Sequence, residues 1–396
     1  MMPASASTPD WIKQALKERK SQDLYRSVRK IAGPQSTRVS QEGQPYLSFC
    51  SNDYLGLANH PDLKQAMADA ALEMGVGSGA SHLVCGHLDI HAALEKALAQ
   101  WLGYDRVLLF STGYMANLAV ISALGSKDRP VIMDKLNHAS LIDGAQLSGA
   151  PFRRYLHGDV QSAEKLMDRS DQAGILATDG VFSMDGDIAP LKLLAESAAA
   201  RQWTLMVDDA HGLGCLGDDG RGALALAGLD ASKVPLLMGT FGKAFGVAGA
   251  FVACSEDLAE YLTQFARPFI YTTAMSPAVA ATVLKSLEVI RSEEGQARRR
   301  RLASNIELFR SRAADWPAQL MASNSAIQPI IVGSNGLALA ISEQLKAKGI
   351  LCTAIRPPTV PVNTARIRIT LSAEHSHTDV IYLCDTLDRI FNDLGK

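Results

Sequence analysis

The chain has 396 residues, of which 47% are hydrophobic and 20% are charged, and its formal net charge is −2. This length exceeds what one hydrophobic core usually organises, so we expect a large domain and a smaller one. The near-zero net charge gives no electrostatic footprint for nucleic acid or an anionic membrane. Six widely spaced cysteines form no Cys-x-x-Cys pair, which indicates reduced thiols rather than a disulfide framework or a zinc site.

The N-terminal segment, residues 1–59, predicts an amphipathic helix near Trp11 and a short hairpin around Glu42. Its first ten residues have neither the basic start nor the apolar stretch of a signal peptide. Together with the reduced thiols, this predicts a cytoplasmic protein.

Between residues 60 and 291, short apolar runs alternate with helical patterns, which predicts a mainly parallel sheet with helices on both faces. The predicted strands are 107–110, 131–133, 174–178, 205–207, 236–238 and 248–253. Ligands of such sheets bind beyond the carboxyl ends of the strands. We therefore expect the functional site among the turns that follow these strands.

Residues 292–396 predict a smaller C-terminal α+β domain. This domain begins with a long helix at 296–316, and the predicted strands that follow are 327–332, 351–354 and 366–371. The basic run 298–301 predicts a solvated helix face rather than a nucleic-acid patch, because Glu293 and Glu294 lie nearby.

Lys243 stands alone at the centre of the apolar run 234–254. A charge in the middle of a bilayer costs about 3 kcal/mol or more, so the run predicts two buried strands joined by a lysine-bearing turn and no membrane span. Burial lowers the pKa of an ammonium group and so favours the free amine. Schiff-base chemistry requires such an amine, because only the neutral form attacks a carbonyl.

Asp208 ends another strand-like run, residues 205–207. A carboxylate at this position can hold the ring nitrogen of pyridoxal phosphate protonated, which makes the ring an electron sink. The lysine and the aspartate together favour this cofactor far more strongly than either residue alone. Thr240, three residues before Lys243, could donate a hydroxyl to the phosphate.

Four further turns carry residues that fit the same cofactor. Gly113 and Tyr114 follow a predicted strand and open a helix, whose free N–H groups suit a phosphate; a simple N-cap is the alternative. His138 also lies between a strand and a helix, where it can stack on an aromatic ring or belong to a capping loop. Ser183 and His211 can reach the polar edge of the ring, or they are ordinary turn residues.

Three motifs of other site classes are incomplete. Residues 212–217 match the dinucleotide pattern G-x-G-x-x-G, but residues 218–222 predict a loop where that fingerprint requires a helix. The lysine-bearing turn lacks the leading glycine and the hydroxyl residue of a P-loop. His87 and His91 lack the glutamate of a zinc-protease motif, so we expect no metal site.

With these residues assembled, the chain resembles the α-oxoamine synthases, which are pyridoxal-phosphate enzymes of the type I aminotransferase fold. The similarity covers nearly the whole length and is carried by residues 52–57, 75–81, 208–211 and 240–243. It implies an α/β fold with a mainly parallel seven-stranded sheet in a large domain, a smaller C-terminal α+β domain, and a homodimer. Residues 354–361 and 364–370 resemble the branch of the family that condenses L-alanine with a pimeloyl thioester of coenzyme A or acyl carrier protein.

The resemblance also implies a role for each matching residue. Lys243 forms the Schiff base and removes the Cα proton, Asp208 contacts the pyridinium nitrogen, and His138 lies over the ring face. The other implied residues are Ser183 and His211 at the polar edge of the ring, Gly113, Tyr114 and Thr240 in the phosphate pocket, Arg26, Arg356 and Thr359 with His138 as substrate contacts, and Thr272 and Thr273 near the phosphate of a second subunit.

Three other functions stay open at this stage. The sibling enzymes glycine C-acetyltransferase and 5-aminolevulinate synthase use glycine and other acyl thioesters. A catalytically silent subunit of the same fold typically lacks the Schiff-base lysine, whereas Lys243 is present. An ordinary aminotransferase is less similar in residues 183–186 and 357–359. The sequence leaves open which carrier holds the acyl group and how strongly alanine is preferred to glycine.

Overall fold

A computed structural model describes residues 8–394 of the chain, so the first seven residues of the predicted N-terminal segment lie outside the described part. The helices are α1 (Asp10–Ser21), α2 (Pro61–Met74), α3 (Asp89–Leu102), α4 (Gly113–Leu124), α5 (Ala139–Ser148), α6 (Val160–Asp168), α7 (Leu191–Ala200), α8 (Gly222–Leu226), α9 (Glu256–Phe265), α10 (Arg267–Ile270), α11 (Pro277–Arg291), α12 (Glu293–Arg312), α13 (Asn335–Ala347) and α14 (His377–Leu394). The strands are β1 (Arg38–Gln41), β2 (Gln44–Ser48), β3 (Arg106–Phe110), β4 (Val131–Asp134), β5 (Phe152–Tyr155), β6 (Ile175–Asp179), β7 (Thr204–Asp208), β8 (Leu236–Thr240), β9 (Ala250–Cys254), β10 (Gln319–Leu320), β11 (Ile327–Gly333), β12 (Ile350–Leu351), β13 (Thr353–Ile355) and β14 (Ala365–Thr370).

The largest sheet has seven strands in the order β3-β9-β8-β7-β6-β4-β5. The strands from β8 to β5 are parallel to their neighbours, whereas β9 pairs antiparallel with both β3 and β8. The predicted mainly parallel seven-stranded sheet is therefore confirmed. Strand β5 was missing from the pattern-based prediction because Arg153 and Arg154 at its centre are exposed, so this edge strand has no apolar run.

Both faces of this sheet are covered, because successive side chains of a strand point to opposite sides. In β3, Leu108 and Phe110 pack in a cluster with residues of α4, α5 and α9. Val107 and Leu109 belong to the cluster on the other face, with residues of α3 and α7. The near-continuous apolar strand patterns that predicted this arrangement are explained by burial on two sides.

The apolar run 234–254 contains β8, a loop and β9, as predicted from its central lysine. Thr240 at the end of β8 pairs with Ala250 at the start of β9, so the loop leaves and re-enters the sheet at neighbouring positions. Among the described residues, no helix is both long enough and apolar enough to cross a membrane.

Two smaller sheets involve the ends of the chain. One has the order β10-β11-β14-β13, and the other has the order β1-β2-β12. The predicted hairpin around Glu42 is thus present as β1 and β2. Strand β2 also pairs in parallel with β12, which lies in the C-terminal part of the chain. The domain boundaries after residues 59 and 291 stay predictions.

The expected solvated face of α12 is wrong for Arg299. This residue is buried, and its guanidinium donates to the carbonyl oxygens of Ile290 at 2.8 Å and Asp218 at 3.1 Å. The neighbouring Arg298 donates to the carbonyl oxygen of Leu55 at 2.8 Å. Arginine binds several carbonyls at once, so this part of the basic run anchors loops rather than facing solvent.

Candidate active site

A cavity of about 130 Å³ lies beyond the carboxyl ends of the parallel strands. All eight residues predicted to contact the cofactor line it, together with five others that sequence reasoning had not assigned. The predicted ones are Gly113, Tyr114, His138, Ser183, Asp208, His211, Thr240 and Lys243, and the others are Asn117, Asp179, Val181, Ala210 and Met238. The turns after five different strands therefore meet at one point.

Asp208, the last residue of β7, is buried and fixed at both carboxylate oxygens. Its Oδ1 accepts from the backbone N–H of Ala210 at 3.0 Å, and its Oδ2 accepts from the Asn117 amide at 2.6 Å. Asn117 is one of few polar residues in α4 and is fully buried. That isolated amide in an apolar helix was the available sequence signal for a residue that reasoning from motifs missed.

Lys243 lies in the loop between β8 and β9, which is held closed beside the sheet. The Thr240 hydroxyl donates to the carbonyl oxygen of Gly249 at 3.0 Å. The backbone N–H of Gly246 donates to the carbonyl oxygen of Lys243 at 2.8 Å. Burial lowers the pKa of the Lys243 ammonium, although the carboxylates of Asp208 and Asp179 oppose the shift. The site therefore favours the free amine more than water does.

Gly246 is a point of close backbone contact between this loop and another segment. Its φ is +68°, and a Cβ atom there would lie 2.4 Å from the backbone nitrogen of Ala58. A side chain larger than hydrogen would therefore push the lysine-bearing loop away from residues 57–58.

His138 belongs to a hydrogen-bonded chain that ends at Asp208. Its Nδ1 accepts from the backbone N–H of Ser140 at 3.3 Å and lies 2.7 Å from the Ser140 hydroxyl, which in turn accepts from Asn117 at 2.9 Å. Burial lowers the pKa of His138. A neutral imidazole held in this way is suited to stacking on an aromatic ring. The Tyr114 ring meets it edge-on, with ring centroids 6.2 Å apart.

His211 is held from behind by Tyr54, whose hydroxyl lies 2.5 Å from its Nδ1. Burial lowers the pKa of His211 well below its ordinary value, and the nearby Lys243 adds to the shift. Asp179 faces the same cavity, and burial together with the charge of Asp208 raises the pKa of its carboxyl well above the ordinary value. The cavity therefore contains a carboxyl group that resists ionisation, at Asp179, and two imidazoles whose pKa values burial lowers, at His138 and His211.

The backbone of Ser183 connects this cavity to the small sheet β10-β11-β14-β13. Its carbonyl oxygen accepts from Nε of Arg368 in β14 at 2.7 Å, and the same guanidinium donates to Thr370 at 3.0 Å and to Asn52 at 3.2 Å. Arg368 is buried, and within the described residues no carboxylate forms an ion pair with it. No motif predicted a role for Arg368, because the alternating pattern of β14 indicates only a strand.

The three predicted substrate residues that do not line this cavity line a second one of about 940 Å³. Arg26 donates to the Thr359 hydroxyl at 3.0 Å, and Arg356 donates to the backbone carbonyl oxygens of Asp23 and Tyr25. Ser51 lines this second cavity, and the next residue, Asn52, is hydrogen-bonded to Arg368 beside the first. The two cavities are thus joined by adjacent residues of one segment.

The residues of the first cavity fit pyridoxal phosphate. They offer an acceptor-only carboxylate for a protonated ring nitrogen, a free-amine-favouring lysine, and the N-terminus of α4 for an anion. Asn117 Oδ1 is buried with no hydrogen-bond partner within the described part of the chain, which leaves an acceptor at the cavity wall. Among residues 8–394, no cluster of three or more His, Cys, Asp or Glu side chains could hold a metal ion.

Comparison with known proteins gives one family. The model of the family described as aminotransferase class I and II matches residues 44–387. Over 389 residues the chain is 63% identical to an 8-amino-7-oxononanoate synthase of Marinomonas sp., covering 98% of this chain and 96% of that one. It is 53% identical to the enzyme of the same name from Pseudomonas entomophila, covering 96% and 97% of the two chains. The chain belongs to the class I and II aminotransferase family.

Solved structures share the fold over most of the chain. A serine palmitoyltransferase of Sphingomonas wittichii has a TM-score of 0.92 at 29% identity and covers 98% of this chain and 99% of its own. An 8-amino-7-oxononanoate synthase of Francisella tularensis has a TM-score of 0.78 at 32% identity, covering 89% and 99%. A serine palmitoyltransferase of S. paucimobilis, solved with bound PLP-myriocin, has a TM-score of 0.91 at 28% identity, covering 98% of both chains. The predicted type I aminotransferase fold is confirmed.

Proposed function

We propose that this chain condenses L-alanine with a pimeloyl thioester and releases CO2 and free thiol, the reaction of an 8-amino-7-oxononanoate synthase in biotin biosynthesis. The observation that carries the proposal is that Lys243 and Asp208 line one cavity with two neutral imidazoles. Identity of 63% with the Marinomonas synthase supports this substrate pair over the glycine-using siblings. The cofactor is pyridoxal phosphate, and the chain is an enzyme of the acyltransferase type.

When bound, pyridoxal phosphate takes up the electron pair left on the amino-acid Cα. Lys243 would supply the amine that holds the cofactor, and its Nζ would accept the proton from the alanine Cα. Because burial lowers its pKa, that amine loses its proton more readily than an exposed lysine does. Asp208 holds a proton at the ring nitrogen, and the Asn117 amide keeps the carboxylate in place.

Arg368 is the residue that we assign to the alanine carboxylate. Its buried guanidinium contacts three neutral acceptors and forms no ion pair with any described residue. A substrate carboxylate would therefore provide the missing negative charge. A guanidinium suits this task because it can donate two parallel hydrogen bonds to a carboxylate. Asn52 and Ser183 orient it from two sides.

The second cavity is the place that we assign to the acyl donor. Its volume of about 940 Å³ suits a long substrate, and Arg26 and Arg356 provide positive charge for anionic groups of a thioester carrier. Both a phosphate-bearing carrier and a terminal carboxyl of the acyl chain fit this description. Coenzyme A and acyl carrier protein are therefore both compatible carriers of the acyl group.

A homodimer is part of the proposal. Several large apolar side chains are exposed on two segments whose backbones pair between Ser81 and Thr273. The exposed residues are Leu72, Val76, Leu83, Val84 and Tyr271. Exposed large apolar side chains on neighbouring segments are typical of an interface. The carbonyl oxygen of Thr273 lies 3.5 Å from the Ser111 hydroxyl, so this surface adjoins the turn at the start of α4.

The test is to incubate the purified holoenzyme with L-alanine or glycine and a matched panel of acyl thioesters. Pimeloyl, succinyl and acetyl groups are each offered on coenzyme A, and pimeloyl also on acyl carrier protein. CO2 and free thiol are measured together, and the kcat/KM values are compared. We expect the alanine and pimeloyl pair to give the highest value, with alanine favoured over glycine by about 10- to 200-fold. A clear preference for glycine with acetyl-CoA would instead make the protein a glycine C-acetyltransferase.

A further inference from the structure

His157 lies just outside the catalytic cavity and bridges two carboxylates. Its Nδ1 is 3.0 Å from Asp134 Oδ1, and its Nε2 is 3.0 Å from Asp187 Oδ2. The Phe182 ring meets the imidazole edge-on, with ring centroids 4.4 Å apart. Neither motif nor resemblance had singled out this residue.

The geometry fixes the charge of His157. An ionised carboxylate can only accept hydrogen bonds, so both ring nitrogens must carry a proton when each faces a carboxylate oxygen. A neutral imidazole has one N–H and could satisfy one of the two contacts. With both carboxylates ionised, the bridge is therefore an imidazolium between two carboxylates.

The two carboxylates belong to the turns that present His138 and Ser183. Asp134 ends β4, accepts from the backbone N–H of Leu136 at 2.8 Å, and its carbonyl oxygen accepts from the N–H of Asn137 at 3.2 Å. It therefore fixes the turn that leads directly to His138. Asp187 closes the loop that contains Ser183, because its carbonyl oxygen accepts from the N–H of Phe182 at 3.0 Å.

The Ser183 loop, residues 183–187, is held on its other side by the small sheet. Arg368 binds the carbonyl oxygen of Ser183, and Arg366 forms a buried ion pair with Asp185 at 2.8 Å. His157 is the cation that holds the loop to the large sheet. Its removal would break the side-chain link between Asp187 and Asp134, and would leave Arg366 and Arg368 as the cations that bind the loop among the described residues.

We propose that His157 is a positioning residue, whose charged bridge from Asp134 to Asp187 sets the spacing of His138 and Ser183 around the cofactor. This inference rests on the proposed function only in taking pyridoxal phosphate as the cofactor. The bridge itself is a property of the chain. His157 lines neither of the two cavities, so its effect passes through the two turns.

The bridge has a defined pH range. Burial alone lowers the pKa of His157, but the hydrogen bonds and charges of Asp134 and Asp187 outweigh burial and raise the pKa to about 10. In an unfolded chain the imidazole titrates near its ordinary value of 6.5. The stabilisation is therefore complete below that value and is lost as pH rises through about 10. The other groups that face Asp134 are the Tyr155 hydroxyl from β5 and the Asp179 carboxyl from β6, and both have pKa values raised by burial.

The experiment compares His157→Gln with wild type, using His377→Gln as the matched control. His377, the first residue of α14, is exposed, and its imidazole is hydrogen-bonded to the Ser304 hydroxyl on α12. For each protein, the melting temperature of the apoprotein and the dissociation constant of pyridoxal phosphate are measured from about pH 6 to about pH 10.5. Imidazole 15N spectra of histidine-labelled apoprotein report the protonation of His157 directly.

We expect His157→Gln to weaken cofactor binding by roughly 10-fold and to lower the melting temperature by a few degrees near neutral pH. The difference from wild type should shrink as pH rises through about 10, because wild type then loses the same charge. The His377→Gln protein should follow wild type throughout. Asp187→Asn, which removes one acid and little volume, should produce a smaller loss, and adding it to His157→Gln should cost nothing further.

A neutral His157 at about pH 8, or a cofactor affinity that His157→Gln and Asp187→Asn leave unchanged, would overturn the proposal. These readouts need no substrate. A wild-type protein that binds the cofactor and shows the bridge, yet does not condense alanine with an acyl thioester, would refute the proposed function and leave this inference standing.

Discussion

The two cavities of this molecule are built by opposite means. The catalytic cavity is small and lies at the ends of buried strands, and its key carboxylate is fixed by hydrogen bonds of 2.6 Å and 3.0 Å from buried donors. The second cavity is larger, and residues 24–31, which line part of it, are exposed or half-buried and make contacts such as the hydrogen bond of Arg26 with Thr359. The cavity proposed as the reacting centre is thus preorganised, whereas the surface assigned to the acyl donor is held less tightly. Substitutions should separate the two regions by whether they alter kcat or KM.

The largest effect is expected at Lys243. Lys243→Ala removes both the Schiff-base amine and the proton acceptor, so kcat should fall by at least about 10³-fold, while the protein stays folded because the loop is fixed by backbone contacts. Borohydride reduction of wild type followed by peptide mapping should place the label on Lys243. A label on another lysine would show that the catalytic cavity is not the reacting centre, and the comparison above would then fail.

Asp208→Asn should have the next largest effect. The amide keeps the shape of the side chain but loses the charge that holds a proton at the ring nitrogen, so kcat should fall by roughly 10²-fold or more. Exchange of the alanine Cα proton for deuterium, followed by NMR without acyl donor, isolates this step. Asp171→Asn, on an exposed turn, is the matched control and should exchange at the wild-type rate. An unchanged exchange rate in Asp208→Asn would move the electron-sink role to another group.

Asn117→Ala removes the amide that donates a hydrogen bond to the Asp208 carboxylate. Loss of a hydrogen bond to a charged group is worth about 1.5–3 kcal/mol, so kcat should fall by roughly 10-fold or more. The KM for the acyl thioester should stay near its wild-type value, because Asn117 does not line the second cavity. A raised KM with unchanged kcat would show that the two cavities are not energetically separate.

The smallest effect is expected in the second cavity. Arg356→Ala should raise the KM for the pimeloyl thioester by about 10-fold and leave kcat and the alanine Cα exchange rate nearly unchanged. Arg153→Ala, an exposed arginine of β5, controls for the general loss of positive charge. Equal losses of kcat and kcat/KM at Arg356 would instead place this residue at the reacting centre.

The catalytic cavity could be predicted from the sequence because its residues follow directly after apolar strands. Asp208, Lys243 and His138 each stand at such a position, where polar character in an apolar context is a local signal. Asn117, Arg368 and His157 were not found, because their partners lie 91, 185 and 30 residues away along the chain. Pairing at that range depends on tertiary structure, and local periodicity carries no record of it.

The features of the fold that were predicted wrongly or missed also depend on information that local sequence patterns do not contain. The edge strand β5 has exposed arginines at its centre, and no apolar run marks it. The burial of Arg299 depends on carbonyl groups at the end of α11 and in the loop at Asp218, neither of which a charge pattern can show. The residues of the second cavity were identified only through resemblance, and their roles stay a proposal.

The strand order of the large sheet has a consequence for synthesis of the chain on the ribosome. Strand β3 is the first of the seven to be made, yet among them its one neighbour is β9, which ends at Cys254. Four buried apolar residues of β3, Val107 to Phe110, must therefore wait through about 140 residues, or roughly ten seconds of translation, for their partner. An unpaired apolar strand is a template for aggregation. Nascent chains halted before β9 should consequently depend on chaperones, and those halted beyond Cys254 should depend on them much less.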